Sequence, residues 1–117
     1  MGKLTTHVLD TSRGGPAAGM AVTLYRLGPG GAVALGRIVL NADGRADAPL
    51  LEGAQLLTGV YRLVFEVAAY FRSVGVALED PPFLGDVSLE FGLAHDQAHC
   101  HVPLLVSPYG YSTYRGS

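Results

Sequence analysis

"MAVTLYRLGPGGAVALGRIVL", residues 20–40, decides the fold class. Both halves are rich in Val, Ile, Leu, Thr and Tyr, side chains that suit a pleated, half-buried strand better than a helix. Between them stands Gly28-Pro29-Gly30-Gly31. Its glycines tolerate positive φ and its proline cannot donate to a ladder, so the stretch reads as two antiparallel strands closed by a tight turn.

The same reading extends outward. In "KLTTHVLD" (3–10), Leu4, Thr6 and Val8 share one face, and Thr5, His7 and Leu9 the other. "DTSRGGPAAG" (10–19) is a loop by its glycines and proline. "NADGRADAP" (41–49) is a turn in which Asp43-Gly44 favours a positive-φ bend, and Arg45 follows directly. "VYRLVFEV" (60–67) is a further strand, and "AAYFRSVG" (68–75) fits one short helix ending at Gly75. "DVSLEFGL" (86–93) alternates cleanly, and "AHCHVPLLVS" (98–107) and "GYSTYR" (110–115) complete the series. Short strands at a spacing of about 8–12 residues predict a mostly β, antiparallel sandwich with one short helix. With 117 residues, the expectation is a single domain over 1–117.

Composition narrows the function. Hydrophobic residues make up 49% of the chain and charged residues 15%. That apolar excess is hard to bury in one small domain, so self-association is expected. A net charge of −2, with scattered Lys and Arg, argues against nucleic acid, which demands a basic patch. No run reaches the roughly 18 apolar residues of a membrane helix. The start lacks the apolar core of a signal peptide, and the single cysteine, Cys100, rules out an internal disulfide framework. A cytoplasmic protein is the expectation. Gly2 and Thr6 match the spacing of a myristoylation signal, but the same residues read better as the opening of a first strand.

The candidate chemistry lies in histidines. On a strand, His99, His101 and Pro103 share a face, with Cys100, Val102 and Leu104 opposite. Two imidazoles two residues apart serve either as metal ligands needing a third partner or as a neutral-pH base. His7 sits mid-strand, on the less apolar face. Cys100 points away from both neighbouring histidines, so a Cys–His nucleophilic pair is not expected. "GPGGAVALG" lacks the Gly-Lys-Ser/Thr ending of a phosphate-binding loop, and no Gly-x-Ser-x-Gly elbow is present. Spacing alone yields no reaction.

"LTTHVLDTSRGGPAAGM", "NADGR" and "HCHVPLLVSPYGYSTYRGS" together closely resemble the 5-hydroxyisourate hydrolases, transthyretin-like enzymes of urate breakdown. The likeness runs end to end, and the terminal Tyr-Arg-Gly-Ser is its most specific element, absent from transthyretin carriers. Two departures show: Cys100 stands where an aromatic is usual, and "FLGDV" differs from the usual segment. The resemblance implies a transthyretin-like sandwich and a homotetramer, a dimer of dimers with sites shared between subunits. It implies hydrolysis of 5-hydroxyisourate, a small purine-derived substrate, to 2-oxo-4-hydroxy-4-carboxy-5-ureidoimidazoline, with no cofactor and no metal.

Carried over residue by residue, the resemblance makes His7, Arg45, His101 and Ser117 the expected catalytic residues. His7, Arg45 and Tyr114 are the expected substrate-binding ones. His7 and His101 would hold and deprotonate a water while Arg45 polarises the attacked carbonyl. Tyr114 would supply a flat surface, and the Ser117 hydroxyl or carboxylate would orient an imidazole or the water. Two rivals are a transthyretin-like carrier that binds a small ligand without turnover, and a zinc hydrolase built on His7, His99 and His101.

Overall fold

The computed structural model describes residues 2–96 and 98–116. The strands are β1 (Lys3–Asp10), β2 (Gly15–Pro16), β3 (Ala21–Gly28), β4 (Gly31–Val39), β5 (Leu51–Glu52), β6 (Gly59–Phe65), β7 (Val87–Leu93), β8 (His99–Ser107) and β9 (Gly110–Thr113). One α-helix, α1 (Val67–Ser73), lies between β6 and β7. One sheet runs β2-β1-β8-β9, with β5 also on β1; the other runs β4-β3-β6-β7.

The opening stretch is the expected hairpin: Gly28 pairs with Gly31 across a two-residue turn. A bulge at Leu35 shifts the register between Leu24 and Tyr25, which bends and twists the outer strand. The helix ends as its sequence requires, with Gly75 just beyond it at φ 86°.

The core lies between the inward faces of the two sheets. Leu4, Val8, Leu104 and Val106 of one face Val22, Leu63 and Phe65 of the other, all at most 1% exposed. Truncating such a side chain costs on the order of 2–5 kcal/mol through lost transfer energy and the cavity left behind. Cys100 packs in this layer, and burial raises its thiol pKa against the smaller opposing pull of Arg115. Cys100 is thus a free, buried thiol.

Sequence periodicity predicted antiparallel pairing throughout, and β1 with β8 departs from it. These strands lie parallel over eight residue pairs, from Lys3 with His99 to Asp10 with Val106. They come from opposite ends of the chain, so no hairpin constrains their direction. The loop after β1 also contains more order than its composition suggested, since Gly15 and Pro16 turn back onto Asp10 and Leu9.

Asp10, fully buried, secures this end of β1. Its Oδ1 accepts from the backbone N–H groups of Ser12 (3.0 Å) and Arg13 (3.3 Å) and from the Ser12 hydroxyl (2.6 Å). Its Oδ2 accepts from the Tyr70 hydroxyl of α1 at 2.8 Å. A buried carboxylate is tolerable only when paired in this way, and the pairing ties the helix to the strand that carries His7.

Candidate active site

Because side chains alternate, β1 and β8 present a second face away from the core. Thr5, His7 and Leu9 on β1 and His101 and Leu105 on β8 are half-buried on it. The parallel register places Thr5 beside His101 and His7 beside Pro103. The His7 and His101 rings therefore stack across the strands, with centroids 6.4 Å apart and planes 25° from parallel. The Thr5 hydroxyl oxygen sits 2.8 Å from His101 Nδ1.

Arg45 arrives from the other side of β1. Asn41 locks the turn that delivers it: the Asn41 N–H donates to the Arg45 carbonyl at 2.8 Å, and Asn41 Oδ1 accepts from the Asp43 and Arg45 N–H groups. Gly44 is obligatory here. It has φ 70°, and a Cβ on it would lie 2.6 Å from the Val8 carbonyl oxygen, the strand against which the turn packs. Arg45 then forms a bridge to His7. With Lys3, Thr5, Thr6, Ala46, Asp47, Ala48 and Pro49, it lines a cleft of about 180 Å³.

Both histidines are held below their ordinary pKa of 6.5. Burial is the main cause for each, followed by the Arg45 guanidinium, and His7 also feels His101. Desolvation and a nearby cation both disfavour the imidazolium. The result is two neutral imidazoles at neutral pH, facing one cation. This arrangement can accept a proton and stabilise a developing negative charge within the same small volume.

Among the described residues, the C-terminal segment meets this site at Gly116. β9 ends at Thr113, short of the expected Arg115, yet Gly116 pairs with His101 in the register that joins Leu104 to Thr113. Pro103, opposite Tyr114, explains the gap: it has no N–H to donate, and its carbonyl takes the Thr113 hydroxyl at 2.7 Å. The ladder reopens at His101, where the Gly116 N–H donates to the His101 carbonyl at 2.7 Å. A Cβ on Gly116 would lie 3.0 Å from Cδ2 of the His101 ring, so only glycine leaves that ring undisturbed. Removing Tyr114 to Ser117, or substituting Gly116→Ala, is expected to lower kcat by about tenfold through lost positioning. Initial rates alongside size-exclusion elution check this, and full activity in the truncated protein would make the segment a passive tail.

The structure thus brings together His7, Arg45 and His101. Tyr114, 61% exposed, instead lines a separate cleft of about 210 Å³ with Cys100, Val102, Thr113, Arg115 and part of β7. Ser117 lies outside the described residues. His99 is exposed at the start of β8, and among the described residues no three His, Cys, Asp or Glu side chains gather as metal ligands. Sequence reasoning passed over Thr5 and Asn41. The Asn-x-Asp-Gly order was a usable signal for Asn41, whose side chain caps such turns.

Comparison with known proteins agrees with this architecture. The HIUase/Transthyretin family matches residues 4–116. The chain is 57% identical over 116 residues to 5-hydroxyisourate hydrolase 2 of Rhizobium meliloti, covering 99% of this chain and 97% of that one. The crystal structure of (S)-allantoin synthase superposes with a TM-score of 0.94 and 45% identity over 99% of this chain, which spans 44% of that longer one. Sea bream transthyretin in complex with thyroxine follows at TM-score 0.85 and 28% identity, over 97% of this chain and 94% of its own. With the transthyretin-like sandwich and a family match over nearly its whole length, the chain belongs to the HIUase/transthyretin family.

Proposed function

We propose that the chain is a metal-free hydrolase that opens the six-membered ring of 5-hydroxyisourate to give 2-oxo-4-hydroxy-4-carboxy-5-ureidoimidazoline. One observation carries the reading: two imidazoles held neutral and 6.4 Å apart beside a guanidinium, in a chain 57% identical to a 5-hydroxyisourate hydrolase. A carrier needs no such pair.

In the proposed step, His7 and His101 hold a water against the ring carbonyl. An imidazole takes one water proton as the oxygen bonds to the carbonyl carbon. Arg45 stabilises the oxyanion, and its planar fork suits carbonyl and carboxylate oxygens. The ring C–N bond then breaks, and the nitrogen recovers the proton from the imidazole. The carbonyl carbon stays in the ring-opened product as a carboxylic acid whose remaining water-derived proton passes to solvent. Ser117 orients the imidazole or the water. Tyr114, given its place beside the other cleft, reaches the substrate from a neighbouring subunit in the assembly. No covalent intermediate is needed.

The assembly proposed is a homotetramer, a dimer of dimers with the His7 face lining the contact between dimers. Leu9 and Leu105 flank the histidines half-exposed in the single chain, and a second layer would dry the site and strengthen its electrostatics. Light scattering should return four times the 12.2 kDa chain mass; a fully active monomer would overturn the shared-site geometry. A cytoplasmic location accords with the free Cys100 thiol. No helix among the described residues is long and apolar enough to cross a membrane.

The function is tested by adding the protein to freshly oxidised urate and following the ultraviolet absorbance of the intermediate. Accelerated decay with formation of the ring-opened carboxylate is expected. Saturable binding with the uncatalysed decay rate would identify a carrier instead.

A further inference from the structure

We propose that Thr5 is a positioning residue of this site: its hydroxyl oxygen accepts the Nδ1 proton of His101, leaving Nε2 bare to take the proton of the attacking water. The inference rests on the hydrolytic reading above and deepens it.

The geometry is specific. Thr5 and His101 are lateral neighbours in the parallel register, both half-buried on the same face, with Oγ1 and Nδ1 2.8 Å apart. Threonine is stiff at χ1, so the hydroxyl does not search for its partner. The adjacent Thr6 makes the contrast. On the opposite, core-facing side, its hydroxyl donates to the Val102 carbonyl at 2.7 Å, a purely structural bond. The edge of the His101 ring away from Nδ1 rests on Gly116, with Cδ2 nearest to the position a Cβ would take. The imidazole is therefore gripped between β1 on one side and the terminal segment on the other. Flipping the ring would put a C–H against the Thr5 oxygen and forfeit the bond.

The direction proposed for the bond is the one that the hydrolytic step requires. Were Thr5 to donate, Nδ1 would be the acceptor and Nε2 would carry the hydrogen, turning the outer face of the ring into a donor. With Thr5 accepting, Nε2 is the free base. The same bond strengthens as the ring becomes imidazolium, because a hydrogen bond from a charged donor is stronger than a neutral one. The effect falls mainly on the chemical step rather than on substrate binding.

Two-bond proton–nitrogen correlation spectra of the ring-labelled, substrate-free protein test the proposal directly. His101 in the wild type is expected as the Nδ1–H tautomer, and Thr5→Val should give a tautomer mixture. In kinetics, Thr5→Val should lose about tenfold in kcat with KM nearly unchanged, while Thr5→Ser recovers most of it. An Nε2–H tautomer in the wild type overturns the proposal, as does a Thr5→Val enzyme at the wild-type rate or a Thr5→Ser enzyme no better than Thr5→Val. The spectrum needs no substrate. A wild type that shows the Nδ1–H tautomer but leaves 5-hydroxyisourate unchanged would refute the hydrolytic reading and leave the ring's placement standing.

Discussion

His7→Asn and His101→Asn are each expected to lower kcat by about 10²-fold or more, with the oligomeric state and the β-sheet spectrum unchanged from wild type. Asparagine retains a hydrogen-bonding end but cannot accept a proton near neutral pH. Neither imidazole contributes to the core, which lies on the opposite side of β1 and β8, so the sandwich has no reason to fail. The two losses should not add. Both rings face one volume, and removing either leaves the water without half of its cage, so the double variant should fall little below the worse single one. Initial rates at saturating substrate, with circular dichroism as the folding control, settle the matter. A single variant within a few-fold of wild type would remove that histidine from the mechanism.

Arg45→Gln should cost about 10²–10³-fold in kcat, the range for losing an oxyanion donor. The side chain is exposed and its backbone is fixed by Asn41 and Gly44, so the turn should survive the change. A second effect is diagnostic. The Arg45 charge helps hold both histidines below 6.5; without it their pKa values rise, and the acid limb of the rate profile should move to higher pH. Arg45→Lys keeps the charge but loses the planar fork, so it should preserve the limb while recovering only part of the rate. A loss of activity with no movement of the limb would mean that the guanidinium acts on the substrate and not through the histidines.

Local chemistry made much of this structure legible. Gly28 to Gly31 announced a hairpin, Asp43-Gly44 a turn, and Gly75 the end of a helix. Each depends on the conformational range of a residue and its immediate neighbours. Alternation in "KLTTHVLD" and "HCHVPLL" put His7 and His101 on the less apolar faces of their strands. That β1 and β8 lie side by side, and in parallel, was not legible from periodicity, because two strands from opposite ends of the chain carry no local mark of their pairing. The stacking of His7 on His101 and the Thr5 bond to Nδ1, 96 residues away in sequence, both depend on that register. Alternation also carried the last strand through Arg115, whereas Pro103 on the facing strand interrupts it. That effect belongs to the partner strand, not to the segment being read. The resemblance located Arg45 and the terminal Tyr-Arg-Gly-Ser, but only the fold separates Gly116, pressed against His101, from Tyr114, which lines another cleft.

The central claim, that two neutral histidines rather than a metal activate the water, is tested most directly by the pH dependence of kcat/KM after exhaustive treatment with a chelator. That ratio reports the ionisation of the free enzyme's base. A base must be unprotonated to act, and both imidazoles have pKa values lowered from 6.5. The expected result is full activity in the chelated protein, a plateau through neutral pH, and an acid limb falling below 6.5. Activity abolished by the chelator and restored by zinc would contradict it.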